Sequence, residues 1–85
     1  MARGLAKRAP ETVEEQDKAT TMVVGSRCLA RRQELEKTRL EVANEAGIDP
    51  SSLYRFEMGK QALSVPKVAR VAKVLGLSLD ELVAP

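Results

Sequence analysis

The sequence predicts an all-α protein of five helices preceded by a short arm. Three observations lead there. Aromatic residues are almost absent, with one Tyr, one Phe and no Trp in 85 residues. The core must therefore be aliphatic, which suits closely packed helices and not the short aromatic-rich strands of a sandwich. Apolar residues from Val24 onward recur at helical rather than alternating spacing. The periodic stretches are also punctuated by paired signals, with Thr, Asp or Ser before them and Gly after. A chain of 85 residues suits one domain with a small core.

Residues 1–21 read as the arm. Arg3, Lys7 and Arg8 stand there without an acid, followed by Glu11, Glu14, Glu15 and Asp17 against Lys18. Pro10 followed by "ETVEEQDKATTM" suits a short helix with acids at its positive dipole end; a solvated tail is the other reading. Residues 22–85 form the domain. Helix 1 is expected over Val24 to Glu36, with Val24, Cys28 and Leu35 on one face and the stem of Arg31 along its edge.

Thr38 and Glu41 have capping-box spacing and open a second helix, with Val42, Ala43 and Ala46 inward and Gly47 as its stop. Asp49 caps a third helix. Pro50 at its first position loses nothing, because that N–H would be unpaired anyway. Leu53 and Phe56 are its anchors, and Gly59 closes it. Ser64 and Pro66 begin a fourth helix with Val65, Val68, Ala69, Val71, Ala72 and Leu75 as its apolar stripe, ended by Gly76. Ser78 and Glu81 frame a fifth with Leu79, Leu82 and Val83 apolar.

The composition excludes several functions. One cysteine and no histidine leave no intrachain disulfide, no Cys/His zinc site and no nucleophile–base pair, so neither enzyme activity nor a cofactor or metal is expected. No apolar run approaches bilayer length, and the basic start lacks the apolar segment of a secretory signal. A cytoplasmic, nucleoid-associated protein without a membrane partner is expected. The net charge is only +2, but residues 19–85 hold ten bases and eight acids. Bases gathered on one face would still make an electropositive footprint.

Two short helices joined by a Gly-containing turn, the second with a polar face, describe a helix-turn-helix from Thr38 to Lys60. Over Val24 to Val83 the chain resembles the lambda-repressor-like, Xre/Cro-type helix-turn-helix domain. The resemblance rests on "VGSRCLARRQELEKT", on "EVANEAGIDPSSLYRFEMGK" with its Glu57-Met58-Gly59-Lys60 ending, and on the Ala72 to Gly76 run. It implies a third helix docked in the DNA major groove with its N-terminal end against base edges. The residues then facing bases are Pro50, Ser51, Ser52, Tyr54 and Arg55. Arg55 can bond bidentately to guanine; contact with a phosphate or an acid is its alternative. Phosphate contact falls to Thr38, Arg39, Lys60 and Gln61, and to Arg32 as a second role. Arg39 stands where the family usually has Gln. Arg32 and Glu57 match the family's ion pair, which would hold the third helix at a fixed angle.

The resemblance further implies a transcriptional regulator acting as a homodimer on a palindromic operator, with Leu79, Leu82 and Val83 at the dimer interface. Small members regulate themselves as phage-type repressors, mobile-element switches or restriction controllers, and some activate by touching RNA polymerase. A second expectation is an antitoxin whose arm binds a toxin while the domain represses its operon. A protein-interaction module on the same fold is a third. Leu29, Leu40 and Leu63 depart from the pattern and could together form an exposed patch; Cys28 fills a core position.

Overall fold

The computed structural model describes residues 12–85, which form five helices and no strand. They are α1 (Val13–Glu34), α2 (Arg39–Ala46), α3 (Pro50–Glu57), α4 (Val65–Leu75) and α5 (Leu79–Val83). The basic residues Arg3, Lys7 and Arg8 lie outside the described residues.

Each helix starts on a side-chain cap. Thr12, Thr38, Asp49, Ser64 and Ser78 all accept from the backbone N–H three residues on. At Thr12, Thr38 and Ser78 the third helical residue is a Glu whose carboxylate accepts from the cap's own N–H, completing a capping box. A cap of this kind is worth about 1 kcal/mol. The caps of α2 to α5 fall where the sequence places them. Helix α1 does not start at Val24: it begins at Val13, capped by Thr12 and Glu15, and takes in the stretch read as a short arm helix.

Four helix ends close in one pattern, in which the residue after the last turn turns left-handed and the next N–H reaches back five residues. Gly47, Gly59 and Gly76 serve α2, α3 and α4 at φ 68°, 74° and 69°. Helix α1 does the same with Glu36 at φ 57°, while Lys37 N–H donates to the Arg32 carbonyl at 3.1 Å. A side chain at such a φ is strained, so this end is the least relaxed of the four.

The core is aliphatic apart from one ring. Cys28, Val42, Leu53, Phe56, Val71, Leu75 and Leu82 are fully buried. Each buried Leu, Val or Phe contributes about 1.5–3 kcal/mol through removal of apolar surface from water. Helix α1 crosses α3 at Gly25, where a Cβ would overlap the Phe56 carbonyl oxygen; only glycine permits that approach. Burial pushes the Cys28 thiol up to about 12, with the Glu57 charge adding to it.

Two expected core positions differ. Leu35 is exposed, because Arg32 turns inward one turn earlier and α1 ends at Glu34. Val65 is 73% exposed on the first turn of α4, where only later turns meet the core. Leu63 packs on the core and Leu29 is half-buried, which leaves Leu40 alone of the three as an exposed leucine.

Three arginines close the C-terminal ends of helices other than their own. Arg27 of α1 donates to the Glu81 and Leu82 carbonyls of α5 at 3.1 and 3.0 Å. Arg31 of α1 donates to Leu75 O of α4 at 3.0 Å, and Arg70 of α4 to Ala46 O of α2 at 2.7 Å. These carbonyls lack partners within their own helices, and a cation there also meets the negative dipole end.

Candidate nucleic-acid interface

Helix α3 has two sides. Leu53, Phe56 and Glu57 are buried, and Ser51, Tyr54 and Arg55 face out. The outward side chains follow from the spacing of the anchors: with Leu53 and Phe56 turned in, the 3.6-residue repeat must turn Ser51 and Tyr54–Arg55 out. Arg39, Pro50, Ser51, Tyr54, Arg55 and Lys60 line one shallow surface depression. The helix thus presents its first two turns with three cationic side chains around them.

Behind this face lies a buried ionic cluster. Arg32 donates from Nε to Glu57 Oε2 at 2.7 Å and from Nη2 to Oε1 at 3.1 Å. Its Nη1 donates to the Lys37 carbonyl at 3.0 Å. Arg32 is 8% exposed, so all three nitrogens are engaged away from solvent. The structural pairing of Arg32 with Glu57 is present as expected. Arg32 is the phosphate-contact residue expected from the resemblance that lies most inward, at 8% exposed and with each of its three nitrogens bonded within the chain. Arg39 also donates from Nε to Glu57 Oε1, at 2.9 Å, and lies 4.8 Å from the centroid of the Tyr54 ring. One carboxylate therefore holds two guanidiniums, a site in which charge-assisted hydrogen bonds satisfy every buried oxygen.

The other expected contact residues divide by what holds them. Thr38 is at the N-terminus of α2, its hydroxyl accepting from Glu41 N–H at 3.0 Å. The capping box also holds the exposed Glu41 carboxyl below its ordinary 4.5, through the backbone and then the side-chain hydrogen bonds of Thr38. Ser51 is exposed, and Ser52 is half-buried with its N–H on Asp49. Pro50 is half-buried at the first position of α3. Arg55 is exposed and donates from Nε to Gln61 Oε1 at 2.6 Å, a bond that does not use its two terminal nitrogens. Gln61 is thereby a partner of Arg55, a link that sequence spacing does not announce. Lys60 is exposed.

The expected dimer residues separate. Leu82 is fully buried in this chain's own core, because it is the one apolar residue of α5 whose side the docking of the helix turns inward. Leu79 and Val83 are exposed beside it, on the rim of an apolar cleft of about 310 Å³ that also includes Val65.

Among the described residues no helix is long and apolar enough to cross a membrane, and no His, Cys, Asp and Glu cluster suits a metal. The family described as Helix-turn-helix matches residues 29–82. The cryptic phage CTXphi transcriptional repressor RstR of Vibrio cholerae serotype O1 (strain ATCC 39315 / El Tor Inaba N16961) is 30% identical over 61 residues. The match covers 72% of this chain and 54% of the repressor, so the chain spans about half the length of that curated relative. No solved structure matches. The family match covers both helices of the motif, the turn between them and most of the supporting core: the chain belongs to the lambda-repressor-like, Xre/Cro-type helix-turn-helix family.

Proposed function

We propose that the chain is a sequence-specific DNA-binding transcriptional regulator that works as a homodimer on an inverted-repeat operator and controls its own synthesis. The observation that carries this is the outward face of α3, where Ser51, Tyr54 and Arg55 stand over a buried Leu53–Phe56 base with Arg39 and Lys60 beside them. A rigid helix with short polar, aromatic and guanidinium side chains on its first turns fits the major groove. The similarity to a protein named a phage transcriptional repressor supports repression as the mode of action.

In this reading Arg55 contacts a guanine edge through its two terminal nitrogens while Gln61 fixes its stem. Pro50, Ser51, Ser52 and Tyr54 meet neighbouring bases or the adjoining backbone. Thr38 and Lys60 contact phosphate from either side, one at a helix N-terminus and one as a free ammonium. Leu79, Val83 and Val65 offer exposed apolar surface to a second copy, and an inverted-repeat operator requires a dimer whose two α3 helices lie about one DNA turn apart.

Selection from randomised duplexes, followed by footprinting, tests this. Arg55→Ala should relax the selected sequence at one base pair, at a cost of about 1–3 kcal/mol there. Lys60→Ala should weaken all duplexes alike and shallow the salt dependence by about one phosphate contact. A wild-type chain that binds no duplex at low salt refutes the reading.

A further inference from the structure

A chain of contacts runs from α1 to the outer face of α3 through a residue of α2. Arg32 pins both oxygens of Glu57, and the second of those oxygens also accepts from Arg39 Nε. The Glu57 side chain is 1% exposed and cannot swing away. Arg39 is the first residue of α2, so its backbone is fixed by the Thr38 cap. With both its root and its Nε held, the guanidinium is laid against the Tyr54 ring. An exposed tyrosine would otherwise sample several rotamers and lose that freedom on binding. Here the ring is already ordered by a cation at its face.

We propose that Arg39 is a positioning residue: it fixes the Tyr54 ring in the free protein, and through that ring it sets base preference at one position of the site. The proposal rests on the DNA-binding reading above. It assigns Arg39 a part in sequence choice, whereas a phosphate contact would affect every sequence alike. The ordering cost is met during folding, by a glutamate that Arg32 has already immobilised, so less is lost when the surface engages.

Two measurements decide it. Tyr54 is the sole tyrosine and there is no tryptophan, so intrinsic fluorescence reports that ring alone. In the full chain, Arg39→Lys should raise acrylamide quenching of Tyr54, because the flat Nε-anchored cation is gone while Arg32 still pairs with Glu57. Selection from a randomised duplex pool should then show lost preference at the base pair that Tyr54→Ala also flattens. That loss should exceed any general loss of affinity by about two- to fivefold, the range to which an exposed cation–π contact converts. The Arg39→Lys/Tyr54→Ala double variant should lose no more preference there than Tyr54→Ala alone. Arg39→Gln, which keeps a donor for Glu57 but no cation, serves if the lysine variant folds poorly, and should behave the same way. Unchanged quenching overturns the proposal. So does a variant that weakens all duplexes in parallel with a shallower salt dependence and an intact preference. A wild-type chain that selects nothing overturns the DNA-binding reading and the proposal together; retained selection with an unmoved preference overturns the proposal alone.

Discussion

Replacing Glu57 by alanine is the most severe single change the ionic cluster can undergo. Arg32 would keep only its bond to the Lys37 carbonyl, and its Nε and Nη2 would face a cavity at a residue that is 8% exposed. Each abandoned charged donor costs about 1–3 kcal/mol, and breaking a buried pair by removing one partner costs about 3–5 kcal/mol in all. Arg39 adds little, because its side chain is 33% exposed and can turn to water. A chain of 85 residues has a stability of roughly 4–13 kcal/mol, so the loss is a large share of the whole. Urea unfolding followed by far-UV circular dichroism measures it as a shift in midpoint at constant slope. The companion variant, Arg32→Met with Glu57→Leu, removes both charges and should recover most of the loss, ending within about 1 kcal/mol of wild type. A Glu57→Ala loss below about 1 kcal/mol, or a double variant as unstable as the single, would refute the claim that an orphaned guanidinium is the cause.

Three further outcomes are expected. Gly25→Ala should destabilise by about 1–3 kcal/mol or more, since its Cβ would push α1 off the Phe56 carbonyl; thermal unfolding reads this directly. Glu36→Gly should stabilise by about 0.5–1 kcal/mol, the left-handed strain relieved less the added freedom of the unfolded chain; an unchanged midpoint in urea would contradict it. Cys28 should resist thiol reagents at neutral pH and react only as fast as the protein opens. Its folded pKa lies above the ordinary 9.0, so its contribution to stability is complete below that value and fades as pH rises toward about 12; labelling rates against urea and pH check both points.

Much of this fold was readable because its boundaries are local chemistry. A Thr, Asp or Ser oxygen meets an N–H three residues on, whatever the tertiary structure, so the starts of α2 to α5 could be read from single residues. Glycine stops are equally local. The extent of α1, one helix where the sequence suggests an arm and a separate helix, is harder to read for a different reason. Residues 13–21 carry too few apolar groups for periodicity to register; the acids after Pro10 suggest a short helix there, but only the Thr12–Glu15 capping box marks where it starts, and its continuity with the helix from Val24 is not legible. Leu82 and Leu79 look alike in sequence, and only the docking of α5 decides which is core. Within the candidate site, the Arg32–Glu57 pair came through family resemblance. The recruitment of Arg39 to the same carboxylate, and of Gln61 to Arg55, depends on how α2 and the turn after α3 approach their neighbours, which spacing along one helix cannot express.

The arginines at foreign helix ends have a consequence for how the protein opens. Arg27 and Arg31 bind α5 and α4 to α1, and Arg70 binds α2 to α4. If α4 frays, Leu75 releases Arg31 and the α4 anchor of Arg70 weakens, so α2 loses its cap as well. Loosening then spreads from helix to helix instead of stopping at one. Amide hydrogen exchange should therefore show the slow protons of α2, α4 and the later half of α1 opening with a single free energy, as one cooperative unit. Such a domain keeps α1, α2 and α4 packed together or loosens all three at once.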